Sequence, residues 1–381
     1  MSYISGKLRK TGYELSDINI VQAPVSYIEH RSECDTMIEM CGRKVHPVIV
    51  APMAAVTDEN NYKVWLDNNF ICVVPRTVDF EKRLEICKET FCSFSLDEAQ
   101  SIYLDSKIVD SFINKEKFYV CVDIAQGTMN RLYEICKKLK IVYGNNIEIM
   151  TGNVATPEAY DYYADAEIDY MRLSIGTGSR CTTSCNVGIH YPVATLIDEM
   201  AVKKKEWDMY YGQGKPSTKI IVDGGISNFD DIQKCLALGA FAVMNGSSFA
   251  KSEEACGEVR YLLPDENFEQ GISVDEYKMA CNYEYKSKIL CNNYVENAKP
   301  YREYYGMSTK RAQKECGNVC SKTSEGIAKL VKVEYPIAKW ADNMRSYIAS
   351  AMSYCDAKTI DEFRVKTELI INLSGDKQFR K

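Results

Sequence analysis

Short apolar, β-branched segments recur along the chain, each running into glycine, a small residue or a polar side chain. They are His46–Met53, Phe70–Thr77, Phe91–Leu96, Phe118–Ala125, Ile147–Val154, Asp169–Gly176, Thr218–Gly225 and Gly239–Gly246. Stretches with helical spacing separate most of them, such as Met129–Leu139 after the fourth and Asp230–Leu238 after the seventh. Near-continuous apolar strands alternating with helices predict a parallel sheet covered by helices. Eight such units over roughly two hundred residues fit a (β/α)8 barrel, the TIM barrel, better than an open doubly wound sheet. No GxGxxG follows the first strand to favour the open sheet.

The chain has 381 residues, 46% hydrophobic and 26% charged, which excludes collagen-like repeats, coiled coils and wholesale disorder. By length alone about 150 residues per domain suggests two or three domains, but barrels of ~250 residues fold as one. A single barrel domain over 1–381 is therefore expected, with 254–300 an insertion within it and 301–381 a ligand-contacting loop and C-terminal segment. No apolar run approaches the ~18 residues a bilayer requires. The opening MSYISGKLRK has no apolar stretch behind its basic residues, so no secretory signal is read and a cytosolic protein without a membrane partner is expected. The net charge of -6 argues against a broad nucleic-acid surface, yet allows a small anion held by backbone donors. Sixteen cysteines are scattered without a CxxC pair, so a zinc cluster is not expected. They read as reduced thiols serving as small core residues, leaving one or two for chemistry.

In a barrel, chemistry sits on the loops after the strands. Those ends read Ala51-Pro52-Met53, Arg76, Asp123, Gly152-Asn153, Gly176–Thr183, Asp223-Gly224-Gly225 and Gly246-Ser247. One such glycine pair alone reads as a turn. Two glycine-bearing ends on adjacent strands, seven and eight, point to a phosphate site built from loop amides and a helix N-terminus. Asp223 cannot hold phosphate; a carboxylate there suits two ribose hydroxyls. The stretch Gly176-Thr177-Gly178-Ser179-Arg180-Cys181-Thr182-Thr183 sets a cysteine among glycines, hydroxyls and an arginine, a setting that lowers a thiol pKa and suits a nucleophile. Cys185, with only Asn and Val beside it, fits a plain buried thiol better.

IGTGSRCTTSCNVGIHYP (175–192) resembles the catalytic-cysteine loop of the IMP dehydrogenase and GMP reductase family. VIVAPMAAVTD (48–58), VDIAQG (122–127), TGNVATPE (151–158), VDGGIS (222–227), VMNGSSFA (243–250), YYGMS (304–308), SEG (324–326) and the tail AMSYCDAKTIDEF (351–363) follow in family order. The resemblance implies that Cys181 attacks the purine C2, with Thr183 relaying a proton and Glu325 orienting it. It implies that Ser179, Gly224, Gly225, Gly246, Ser247 and Tyr304 surround the nucleotide 5'-phosphate, with Asp223 on the ribose and Gly306, Met307 and Ser308 toward the base. Asp123, Gly127 and Asn153 fall on the nicotinamide side. The carbonyls of Gly176, Gly178 and Cys181 match a monovalent-cation site, taken as potassium, and family members assemble as homotetramers.

Between the two branches, the features favour the reductase. No regulatory CBS-type insert of about a hundred residues interrupts Ile71–Asp123, and only 21 positions separate Tyr304 from Glu325 without an Arg-Tyr pair. The resemblance therefore implies reductive deamination of GMP to IMP and ammonia with NADPH. The alternatives are a minimal dehydrogenase taking IMP to XMP with NAD, a relative acting on a modified or deoxy purine nucleotide, and a non-catalytic nucleotide-binding barrel. Arg76 stands where reductases use lysine near the leaving ammonia, with Ser93 for a neighbouring threonine, and arginine is a poor proton donor. Ala54 replaces an aspartate, and Arg172 is the dehydrogenase-like choice. Residues 254–300 exceed the family's hairpin and read either as a solvated excursion, with a helix near Val274–Ile289, or as a lid or subunit contact.

Overall fold

The computed structural model describes residues 11–113, 116–177, 186–264, 266–281, 297–306, 309–315, 326 and 328–372. Eight strands form one parallel sheet in chain order: β1 (Val48–Val50), β2 (Val73–Val74), β3 (Phe91–Phe94), β4 (Phe118–Asp123), β5 (Ile147–Val154), β6 (Tyr170–Leu173), β7 (Lys219–Asp223) and β8 (Ala242–Asn245). β8 pairs back onto β1, Val243 opposite Val48 and Asn245 opposite Val50. A bridge between Val50 and Cys72 joins β1 to the start of β2, so the ring closes as a (β/α)8 barrel. Every strand falls inside its predicted segment. The runs are apolar throughout because each strand is covered twice, by lumen side chains on one face and helices on the other; Val48, Ile49 and Val50 are wholly buried.

Phe91 packs 5.5 Å from Tyr119 and 5.7 Å from Tyr170, and the Tyr170 hydroxyl donates to Glu148 Oε2 at 3.1 Å. These aromatic residues fill the barrel near the strand starts, so the opposite end is left for polar side chains. The predicted helix at Met129–Leu139 runs Asn130–Tyr143, burying Leu132, Ile135, Cys136 and Leu139 at three- and four-residue spacing. Gly144 ends it at φ +53, and its N–H donates to the Lys140 carbonyl. The helix predicted at Asp230–Leu238 is Phe229–Ala237. Of the ten cysteines whose side chains are described eight are buried, and burial pushes the thiols of Cys72, Cys87, Cys121 and Cys136 up to about 12. That makes them inert core residues.

After β8 the chain builds a second, antiparallel sheet in the order Ile272–Ser273, Val259–Leu262, Lys299–Tyr304, Lys329–Lys332. The described ends of 254–300 are thus strands of this sheet rather than a bare excursion, and Leu262 and Ala298 are buried. A helix, Val274–Cys281, begins where one was predicted, and Tyr277 stacks on Tyr261 at 3.6 Å. Residues 282–296 of that expectation lie outside the described residues. The long helix Ile337–Tyr354 starts with the Ile337 N–H held by both Glu254 carboxylate oxygens at 3.0 Å. No described helix is long and apolar enough to cross a membrane.

Candidate active site

The C-terminal ends of β4 to β7 meet around one guanidinium. Arg172, buried on β6, donates from Nη1 to Asp123 Oδ1 at 2.8 Å, and from Nη2 and Nε to Asp223 Oδ2 at 2.7 and 3.1 Å. Asn153 Nδ2 reaches the same Asp223 oxygen at 2.9 Å. Burial opposes the charge on Arg172, but the carboxylates of Asp223 and Asp123 outweigh it and hold the guanidinium's pKa well above its usual value. Among the described residues, these bonds fall on Asp223 Oδ2 and Asp123 Oδ1 and none on the other oxygen of either carboxylate.

Local chain geometry makes this arrangement possible. β5 carries a bulge: Gly152 pairs with Arg172 and Val154 with Leu173, which leaves Asn153 as the extra residue and turns its amide toward Asp223. Gly152 must be glycine, because a β-carbon there would lie 2.6 Å from the Arg172 β-carbon and closer still to its carbonyl. Ser174 ends β6 in a left-handed conformation, φ +79. Its hydroxyl donates to the Asp223 carbonyl at 2.6 Å, which leaves Thr177 to donate to Ser174 across 2.8 Å. Thr177 in turn packs on Gly225. The loops after β6 and β7 are thereby stitched together.

The loop after β8 is organised by Asn245. Its carboxamide oxygen accepts from the Ser248 N–H at 2.9 Å, and its nitrogen donates to the Ile226 carbonyl at 3.2 Å. This ties the β7 and β8 ends together. The Tyr304 hydroxyl lies directly on Gly246: a β-carbon there would collide with it and approach the Met53 sulfur to 2.5 Å. Tyr304 thus reaches the Gly246-Ser247 end although 58 positions separate Gly246 from it in the chain.

Arg76 and Ser93 close β2 and β3, and each keeps a buried polar atom, Nε and Oγ, without a partner among the described residues. Their loops are fixed by Arg83, which donates to the carbonyls of Val78 and Ser93 and pairs with Glu98 at 2.6 Å. Ala54 packs against Ala55, Tyr305 and Ala312, an apolar contact where the family resemblance led to an expected carboxylate. Gly127 backs onto the Asn153 carbonyl, and Gly224 and Gly225 take φ +95 and +77. Gly176 takes φ +77, and Gly306 accepts from Thr309.

Gly178, Ser179, Cys181, Thr183, Cys185, Met307, Ser308 and Glu325 lie outside the described residues. Two residues absent from the sequence-based site now take structural parts, Arg172 and Ser174, and Asn245, at the strand end read as part of a phosphate site, organises its loop. Arg172 carried a signal, a cation in an otherwise apolar strand; Ser174 looks like an ordinary polar residue at a strand end.

The class of protein these features define is a (β/α)8 barrel with polar side chains gathered at the C-terminal ends of its strands. A sequence model for the IMP dehydrogenase / GMP reductase domain matches residues 101–278. The chain is 26% identical over 381 aligned positions to the GMP reductase of Oceanobacillus iheyensis, covering 96% of this chain and 99% of that one. It is also 26% identical to the GMP reductase of Clostridium acetobutylicum, with 95% and 96% covered, and to that of Shouchella clausii, with 96% and 98% covered. Residues 101–278 thus match the IMP dehydrogenase / GMP reductase domain, and nearly the whole chain is similar to proteins named GMP reductase.

Proposed function

We propose that the protein is a GMP-reductase-like oxidoreductase, converting GMP to IMP and ammonia with NADPH. The observation that carries this reading is similarity to proteins named GMP reductase along nearly the whole chain, 96% of it for the first of them. The polar mouth of the barrel supports it: the Gly225 and Gly246-Ser247 ends with Tyr304 suit a 5'-phosphate, and the open oxygen of Asp223 suits a ribose diol. Asp123, on the far side of Arg172, offers a second acceptor suited to a nicotinamide ribose, with Gly127 and Asn153 beside it. The residues fit a dinucleotide there, which when bound supplies the two electrons the reduction needs.

In this reading the Cys181 thiolate bonds to C2 of the purine and the C2–amino bond breaks, releasing ammonia. Thr183, oriented by Glu325, delivers the proton that the departing nitrogen needs. Reduction at C2 then breaks the C–S bond and frees IMP. Arg76 and Ser93 have unpartnered polar atoms on adjacent strand ends and line the ammonia side. The carbonyls of Gly176, Gly178 and Cys181 hold a monovalent cation, potassium, and the protein works in the cytosol as a homotetramer. A second reading, a minimal dehydrogenase taking IMP to XMP with NAD, is favoured by Arg172 in place of the reductases' lysine.

Adding GMP and NADPH to the purified protein should bleach the nicotinamide band, whereas IMP and NAD should leave it flat. Growth of the band with IMP and NAD selects the second reading instead. Cys181→Ala should abolish turnover yet bind GMP nearly as the parent does; if binding collapses too, the thiol is structural. Should the parent bind GMP but turn over neither pair, the barrel is a non-catalytic nucleotide binder.

A further inference from the structure

Arg302 is 1% exposed, yet no carboxylate lies within ion-pair distance of it among the described residues. Its acceptors are main-chain carbonyls: Gly257 to Nε at 2.8 Å, Ala250 and Ser252 to Nη1 at 2.6 and 2.9 Å, and Ala255 to Nη2 at 2.8 Å. All four lie on residues 250–257, the stretch that leaves the short Ser247–Ala250 helix and opens the insertion. Burial pulls the guanidinium down to about 10, so it stays charged at neutral pH. A buried cation costs stability unless its donors are met. A strand already registered on both sides, opposite Val259 and Val331, does not need one to stay paired.

We propose that Arg302 is a positioning residue for phosphate recognition, pinning the strand that carries Tyr304 to the chain segment that carries Gly246 and Ser247. Residues 302 and 304 share a face of their strand, as alternation demands. The guanidinium grips the segment behind the Ser247–Ala250 helix, and two residues on the Tyr304 hydroxyl meets Gly246 at its start. The two halves of an anion pocket, loop amides on one side and a phenol on the other, are thus held by one planar fork. A lysine can make only part of this grip: three donors on a single nitrogen cannot span four carbonyls in these directions. The same grip joins both roots of the insertion, Gly257 and the Lys299–Tyr304 strand, next to the phosphate end of the site.

The inference rests on the proposed function in one respect, that Gly246, Ser247 and Tyr304 take the 5'-phosphate. The test is the ratio of GMP to guanosine affinity, measured by titration calorimetry on the full chain and on Arg302→Ala and Arg302→Lys. For Arg302→Ala the GMP dissociation constant should rise about tenfold or more while that for guanosine stays within about twofold. Arg302→Lys, which keeps the charge, should fall between and answers the question if the alanine variant does not fold. Parallel losses for both ligands, or no loss for either, overturn the proposal. A parent protein that binds GMP no better than guanosine removes the phosphate reading itself, and that failure is visible before any variant is made.

Discussion

Replacing Arg172 with methionine keeps much of the side-chain volume but strands two carboxylates. The three side chains are 6% (Arg172), 12% (Asp123) and 17% (Asp223) exposed, so solvent screens the charges only slightly. Removing one partner of a buried ion pair typically costs about 3–5 kcal/mol, because an uncompensated charge remains. Here Asn153 still supports Asp223, which places the expected loss for Arg172→Met near the lower end, about 3 kcal/mol. Against a total stability of roughly 5–15 kcal/mol that loss is large. Urea unfolding followed by tryptophan fluorescence at pH 7 would measure it. A second substitution, Asp123→Asn, should recover roughly 1–2 kcal/mol by removing one of the two charges. A deficit below about 1 kcal/mol that Asp123→Asn does not alter would refute the claim that this arginine neutralises both groups.

His46 is buried against Phe70, ring centroids 4.6 Å apart, and burial, with the nearby Arg345, lowers its pKa to about 4. Its folded value lies below the ordinary 6.5, so the unfolded chain binds the extra proton between those values. Stability from this group is complete above 6.5 and falls by about 3 kcal/mol as the pH drops to 4. Urea midpoints for His46→Leu should therefore vary less between pH 6.5 and 4 than those of the parent; an unchanged slope contradicts the assignment. Gly246→Ala places a methyl group on the Tyr304 hydroxyl and the Met53 sulfur. It should weaken GMP binding at least about tenfold with little change in the melting curve, since only the loop must give way. Normal GMP affinity in that variant would separate this glycine from the ligand.

The barrel was legible in the chain because its strands are covered on both faces. Segments such as His46–Met53 and Ile147–Val154 had to be apolar nearly throughout, and their ends had to change character where the cover stops. The strand ends were legible for the same reason, so Asp123, Asp223, Gly246 and Arg76 could be listed from one dimension. Family order then joined Tyr304 to Gly246, a contact that composition and spacing carry no trace of.

What the linear pattern could not convey was which polar groups are spent on one another. Arg172 sits on a strand whose neighbours in sequence are apolar, and its two partners lie 49 and 51 residues away. Only barrel closure brings β4, β6 and β7 into one cross-section, and the bulge at Asn153 depends on how β5 is paired with β6. Arg302 is a sharper case, because its acceptors are backbone carbonyls that every residue possesses. A side chain's type follows from its codon, but its hydrogen-bond partners follow from where folding brings other parts of the chain. Short-range pattern therefore specifies elements and strand ends, whereas charge neutralisation and the placement of a hydroxyl on a glycine arise from long-range packing.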